Sequence, residues 1–434
     1  VLLTLIAARV SAAPAQWLPP RDITLGADAG RVADLDICAR GSEVVVVWSD
    51  ARLGGRRLFW RRSMDFGATW QPEALVTSAG SAVSSPSLAC HDDRLHLTWI
   101  RGGEAAGDLM YSSFDRGGWT PAVQVAPGAL VSSPDIAATR AFPHVIGIAY
   151  EEVGPAGPRA TVTLSEDGGV TWSDPFPTSP SGAPSAQPAI AAAGEMFYLA
   201  WQDFRETSSH VYFTTRGPRL VGTERRLSQV GGAGAPSLDA RERRVVAAWE
   251  SRPGLAGPDI HATVSDNEGF DWDLPTPLTQ SAPQSAQPTV LALSDAAYVA
   301  WQDGSQGAFE VFLARVAPDG SWEAPAQFTE SGRASIRPRL AASFPSGATL
   351  READAQLQLA WIEREPDGGG VGGHSLRDTR PPDRPSTPRH VDVSARPGWD
   401  DDNASRFLWD PDPSVATYRV FVSIDGGVPE EAMV

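Results

Sequence analysis

The sequence predicts an all-β fold, a seven-bladed β-propeller, and two periodicities carry that expectation. Seven β-rich segments end in an aromatic residue, at Trp48, Trp99, Tyr150, Trp201, Trp249, Trp301 and Trp361, spaced by 51, 51, 51, 48, 52 and 60 residues. A turn pattern runs in step with them. It is clearest at Ser63-Met64-Asp65-Phe66-Gly67-Ala68-Thr69-Trp70 and Ser165-Glu166-Asp167-Gly168-Gly169-Val170-Thr171-Trp172. Ser265 to Trp272 repeats it with Asn267 and Gly269 in place, Ser113 to Trp119 is contracted, and Pro318-Asp319-Gly320-Ser321-Trp322 is degenerate. A fixed period near 50 residues is the mark of a repeat architecture, and four short strands per period fit propeller blades.

The elements follow in order. Val1-Leu2-Leu3-Thr4-Leu5-Ile6-Ala7-Ala8 and Ser11-Ala12-Ala13 read as the apolar core and cleavage region of a secretory signal, residues 1–13. The run is too short to span a bilayer, and no other segment is long enough. Residues 17–378 hold the repeats. Arg21-Asp22-Ile23-Thr24-Leu25 looks like a fourth strand that precedes the first unit, while the last unit lacks one. The N-terminal strand is therefore expected to complete the last blade and leave no open sheet edge. Within a unit, an apolar strand comes first, often after Pro, as in Pro134-Asp135-Ile136-Ala137. The aromatic-ended strand, a polar loop and a third strand follow, and the Ser-x-Asp turn leads to a fourth. Residues 379–388 are a Pro-rich linker.

The pattern Ser-x-Asp-x-Gly-x-Thr-Trp resembles the Asp box, or bacterial neuraminidase repeat, of the sialidase superfamily. Its physics is local: a carboxylate accepts turn N–H groups, Gly supplies φ > 0, and Trp fills apolar space. Ser63, Asp65, Gly67, Trp70, Ser165, Asp167, Gly169, Trp172, Ser265, Asn267, Gly269 and Trp272 are thus expected to be structural. The resemblance implies a face for these turns opposite any active site. Known sialidases use six blades, which is the alternative to seven. In residues 389–434, Phe407-Leu408-Trp409 and Tyr418-Arg419-Val420 resemble the Trp and Tyr strands of a partial fibronectin type III domain, about half of such a β-sandwich.

Composition limits the partners. The chain has 434 residues, a formal net charge of −17, 36 basic residues that are all Arg, and 15 Trp. So acidic a chain is a poor match to nucleic-acid phosphates. The seven His are scattered, and His91 with His96 does not match a zinc spacing, so neither a metal nor another cofactor is expected. Cys38 and Cys90 are the only cysteines. They fall on first strands of consecutive units, offset by one position, and an oxidising compartment makes them a disulfide candidate.

Chemistry would sit on the loops after the aromatic residues. These carry Asp50 and Arg52, Arg101, Glu151 and Glu152, Asp203 and Arg205, Glu250 and Arg252, Asp303, and Glu363 and Arg364. One reading is a ring of Arg and carboxylate groups suited to sugar hydroxyls or a sugar acid. The other is that each pair braces its own loop, and repetition in several blades favours it. The sialidase resemblance implies three Arg on the substrate carboxylate, a Tyr nucleophile with a Glu partner, an Asp acid/base and an Arg-Ile-Pro motif. That motif is absent; Ile336-Arg337-Pro338 has another order and lies in the last unit. The expectation is a secreted or cell-surface module that binds a glycan or an extracellular protein. A sialidase-like exo-glycosidase acting on terminal sialic acid or related sugars is one alternative, and a structural cell-surface element the other.

Overall fold

The computed structural model describes residues 32–364 apart from 78–81, 92–93, 104–105, 116, 140–143, 156, 180–181, 218–220, 253–256, 281–283, 306, 318, 331 and 346–347. It also describes residues 3–8, 17, 21–23, 370–378, 389–391, 406–408, 419–424 and 430–432. Two compact units result, Leu18–Leu376 and a second made of Val1–Trp17 with Arg377–Val434.

The first unit is a seven-bladed propeller of antiparallel sheets. Blade 1 is Val32–Arg40, Glu43–Asp50, Arg57–Ser63 and Ala74–Leu75. The first strands of blades 2 to 7 are Val83–His91, Val131–Ala138, Ser185–Ala193, Ala233–Arg241, Ser285–Ala292 and Ala334–Ser343. In blade 2 the outer edge is shared by two short strands, Gly118–Trp119 and Val123–Gln124, both paired to Asp108–Asp115. Blade 7 takes its fourth strand from the N-terminus, with Arg21 opposite His374 and Asp22 opposite Gly373. Ile23 N–H adds a bond to Gly372 O at 2.8 Å. The ring thus closes as the sequence implies, with seven blades and not six.

No central core exists; the core is a series of layers between blades. In Val44-Val45-Val46-Val47-Trp48 the residues Val44, Val46 and Trp48 pack toward blade 7, while Val45 and Val47 pack toward blade 2. A strand covered on both faces reads as an unbroken apolar run, because alternate side chains each meet a neighbour. The terminal aromatic turns to the preceding blade: Trp99 joins the layer between blades 1 and 2, Tyr150 that between 2 and 3, and Trp301 that between 5 and 6. All seven aromatics are at most 2% exposed. Burial of each contributes roughly 1.5–3 kcal/mol.

The Ser-x-Asp turns form the same bond set. Ser63 Oγ donates to Asp65 Oδ1 at 2.6 Å and accepts from Gly67 N–H at 2.8 Å, while Thr69 N–H donates to Asp65 Oδ1 at 2.8 Å. The Asn267 copy is compensated: Asp271 replaces Thr, and Asn267 Nδ2 donates to its carboxylate at 2.9 Å. Each turn Trp wedges against the preceding blade, Trp172 edge-on to Tyr111 and Trp272 edge-on to Phe213, with ring centroids 5.1 and 4.9 Å apart.

The long step of 60 residues before Trp361 is explained by the connection between the first two strands of blade 7. It carries a short 3-10 helix, Glu352–Asp354, clamped onto blade 6. Ser294 N–H reaches Leu350 O, Glu352 N–H reaches Asp295 Oδ1, and Arg315 and Tyr298 both donate to the Glu352 carboxylate.

The second unit contains an antiparallel sheet in which Arg419–Ile424 pairs with both Leu3–Ala8 and Glu430–Ala432, and a separate pair, Arg389–Val391 with Arg406–Leu408. Trp409, Tyr418, the cleavage region at 11–13 and the Pro-rich linker lie outside the described residues. Among the described residues no helix is long and apolar enough to cross a membrane.

Candidate functional site

The two faces of the ring differ in chemistry. The Ser-x-Asp turns share a face with the hairpins between first and second strands, since Phe66 N–H bonds Ser42 O and Glu268 N–H bonds Arg243 O, each at 2.8 Å. The loops between second and third strands occupy the other face, with the starts of the first strands: Val32 pairs with Asp50, and Ser185 and Ser285 pair with Asp203 and Asp303. The sequence-derived candidates therefore do lie together on one face.

Most of them are committed to their own loops. Asp50 is fully buried and receives Arg52 Nε at 2.9 Å, while Arg52 Nη1 holds Glu73 Oε1 at 2.8 Å and its guanidinium lies over Phe59 at 4.3 Å. Blade 4 repeats this with the same Asp-to-Arg offset of 2 and a Glu 19 residues on in place of 21. Asp203 is bidentate to Arg205 at 2.8 and 2.6 Å, Arg205 holds Glu224 at 2.6 Å, and its guanidinium lies over Tyr212 at 4.0 Å. Burial pushes the Asp203 carboxyl up, but bonds from Arg205 and Trp201 outweigh it and leave it below its usual range. The bond to Asp203 pushes Arg205 further above its ordinary value. These triads stitch the second strand and its loop to the outer strand. Asp303 is likewise filled by Ser285 Oγ at 2.7 Å and Ser305 N–H at 2.8 Å. Glu250 spans blades, holding Arg252 at 2.9 Å on one oxygen and Gln287 N–H at 3.0 Å on the other. Arg205→Ala is therefore expected to lower the unfolding free energy by about 2 kcal/mol, as charge-assisted bonds do. A denaturation titration checks this; an unchanged midpoint would return Arg205 to a ligand role.

The open space lies on the axis. A channel cavity of about 520 Å³ is lined by the first strands of all seven blades. In six blades the strand carries a bulge where a non-glycine residue takes φ between 46° and 57°: Ser85, Ser133, Gln187, Ala235, Gln287 and Arg337. Each precedes a proline, and the register shifts there. Side chains of the preceding blade secure several bulges. Glu151 takes Gln187 N–H and Gln302 takes Arg337 N–H, both at 3.0 Å, and Gln187 takes Ala235 N–H at 2.9 Å.

One layer below, pairing places Asp36, Ser87, Asp135, Ala189, Ser237, Thr289 and Arg339 at equivalent positions around the axis. Asp36 Oδ2 accepts Leu88 N–H of the next blade at 2.7 Å. Asp135 accepts Ser87 Oγ at 3.0 Å, Ile136 N–H at 3.0 Å and Ile190 N–H at 2.9 Å. Burial raises both carboxyls, Asp36 to about 6 in spite of the nearby Arg339 charge. Blade 7 brings the balancing cations. Arg337 pairs with Asp34, and Arg339 Nε stands 3.6 Å from Asp36 Oδ1. Burial, then the charges of Arg339 and Arg364, push Arg337 below its ordinary value, so the three guanidinium groups share one corner. Arg339 Nη1 donates to Pro338 O at 2.9 Å, and Arg364 Nη1 reaches Val32 O at 3.5 Å. Unlike Arg52 and Arg205, neither is bidentate to a carboxylate.

Sequence reading named Arg364 as a loop candidate, and Arg337 and Asp135 only as parts of Ile336-Arg337-Pro338 and Pro134-Asp135-Ile136-Ala137. Arg339 and Asp36 carried no motif of their own, although Arg339 directly follows the Arg337-Pro338 bulge. Burial raises Tyr111, Tyr150, Tyr198 and Tyr212 above the ordinary phenol value, the opposite of an activated nucleophile. Among the described residues no group of three or more His, Cys, Asp and Glu could hold a metal ion.

No family model matches the chain, and no curated protein matches it in sequence. Solved structures do. A PL25 ulvan lyase, a polysaccharide lyase, is similar with a TM-score of 0.55 at 10% identity, over 81% of this chain and 94% of that one. Trypanosoma rangeli sialidase with the inhibitor DANA gives 0.42 at 11% identity, over 80% of this chain and 55% of that one. The chain thus spans about half the length of that sialidase. The subtype N11 neuraminidase-like protein of A/flat-faced bat/Peru/033/2010 gives 0.44 at 11% identity, over 70% and 89%. At such identities the likeness to the lyase is one of fold.

Proposed function

We propose that this propeller is a secreted or cell-surface module that binds an anionic glycan at the loop-side mouth of its channel, and that the Ser-x-Asp turns are Asp boxes serving as structure. The carrying observation is the arginine corner of blade 7. In a chain of net charge −17, Arg337 and Arg339 line an open cavity with the Arg364 charge acting on Arg337, and Arg339 and Arg364 keep guanidinium donors that no carboxylate chelates. A planar guanidinium fork matches a carboxylate, and carboxylates across the channel accept sugar hydroxyls. The lyase of shared fold acts on a polysaccharide, which fits this reading. Equilibrium binding to an array of uronic- and sialic-acid oligosaccharides beside neutral ones tests it. Acidic glycans are expected to bind and Arg339→Ala to weaken them at least tenfold at unchanged melting temperature; equal binding of neutral and acidic glycans overturns it.

A second reading, an exo-glycosidase, rests on the paired channel carboxyls Asp36 and Asp135, both raised by burial. Turnover of a fluorogenic sialoside or uronide, lost in Asp36→Asn, would favour it over pure binding.

A further inference from the structure

We propose that anion binding in the channel is coupled to proton uptake by Asp36: an incoming ligand carboxylate takes over Arg339, and Asp36, displaced from that cation, binds a proton. The inference rests on the binding reading above and adds its regulation. The geometry separates Asp36 from the other channel acids. Asp135 is filled by three donors from three strands, and Asp239 accepts Ala240 N–H and Ala292 N–H, each at 2.8 Å. Asp34 is in direct contact with Arg337. Asp36 has a bond from Leu88 N–H on Oδ2, while its Oδ1 faces Arg339 Nε at 3.6 Å, a distance that leaves room for exchange.

The charges around Asp36 come from each element that surrounds it. Arg339 and Arg337 stand on the first strand of blade 7, Asp34 on its own strand, and Asp135 on the first strand of blade 3. Blade 2 contributes Ser87 and the Leu88 N–H, which carry no charge. Arg339 favours the ionised form most, followed by the Leu88 and Ile37 N–H groups, and Arg339 is the one cation among them. A ligand anion seated at Arg339 neutralises that support and adds a like charge, so it must raise the Asp36 proton affinity. Burial already holds this carboxyl at about 6, so the added shift falls in the physiological window. By linkage, what raises the proton affinity on binding makes the ligand bind more tightly as pH falls. A shift of one pKa unit corresponds to about tenfold in affinity between the two protonation states.

Titration calorimetry with methyl β-D-glucuronide, with methyl β-D-glucoside as the neutral control, tests this on the whole chain. The expected result is binding about tenfold tighter at pH 5 than at pH 7.5. Near pH 6.5, parallel titrations in buffers of different ionisation enthalpy are expected to show uptake of a fraction of a proton. Asp36→Asn keeps an oxygen for Leu88 N–H; it is expected to abolish both effects and to bind at pH 7.5 as tightly as the parent does at pH 5. Binding of the uronide with no pH dependence and no proton uptake overturns the coupling while the binding reading stands. No binding at either pH removes both. Because proton uptake is measured on the unaltered protein, the test does not depend on folding of the variant.

Discussion

Gly169→Ala is expected to destabilise the propeller by about 4 kcal/mol, the sum of a strained backbone and an overpacked contact. Gly169 holds φ at 92°, in the region that L side chains rarely adopt. A Cβ there would stand 2.2 Å from Cε1 of Tyr111. Tyr111 cannot swing away. It is 2% exposed, its ring meets Trp172 edge-on, and its hydroxyl bonds His96 Nδ1 at 2.7 Å. His96 is itself buried, which pushes its imidazole down to about 3 and keeps it neutral. Gly168→Ala is the control. Gly168 also has positive φ, 78°, but a Cβ there meets only the Arg94 side-chain tip at 3.3 Å. Its expected cost is about 1 kcal/mol. Equal costs for the two variants in urea titrations would mean that the turn glycine serves backbone freedom alone and that the wedge against the preceding blade is loose.

That contrast shows what was legible in the sequence and what was not. Blade number, strand order and ring closure could be read because they repeat: seven aromatics buried between blades at steps of 48 to 60 residues, and one orphan fourth strand at Arg21–Asp22. The Ser-x-Asp turns were legible because their bonds are local, within four residues. The loop candidates were found at the right face, yet their pairing was hidden. Arg52 is held by Glu73 and Arg205 by Glu224, 21 and 19 residues on, and neither Glu stands in a recognisable motif. The channel was the least legible part. Positions 36, 87, 135, 189, 237, 289 and 339 carry Asp, Ser, Asp, Ala, Ser, Thr and Arg, with no one type common to the blades. One signal was present. Pro86, Pro134, Pro188, Pro236, Pro288 and Pro338 recur at the blade period, and the residue after each lies in that layer. Alignment on the prolines would have put Asp135 and Arg339 in one ring before any coordinates.

Loss of the bond between Cys38 and Cys90 is expected to cost about 4 kcal/mol, the chain-entropy value for a loop of this length. The two residues are 52 apart, on the first strands of blades 1 and 2, and their Cα atoms lie 5.7 Å apart in a disulfide. Their one-position offset puts them on opposite faces of consecutive sheets, and both sulfurs enter the single apolar layer between those blades. Besides packing, that junction has hydrogen bonds from Leu88 N–H to Asp36 and from Arg40 to His91 O, whereas the junction of blades 7 and 1 has ion pairs from Arg337 and Arg339. Opening the disulfide thus removes the covalent tie between blades 1 and 2. The Cys38→Ser, Cys90→Ser double variant is expected to unfold at lower denaturant. Reductant is expected to lower the midpoint of the parent toward that of the variant and to leave the variant unmoved. Intact mass after alkylation without reductant supplies the independent check. Two alkylated cysteines in the native protein would show the thiols free, and the stability difference would then have to come from packing of two small side chains alone.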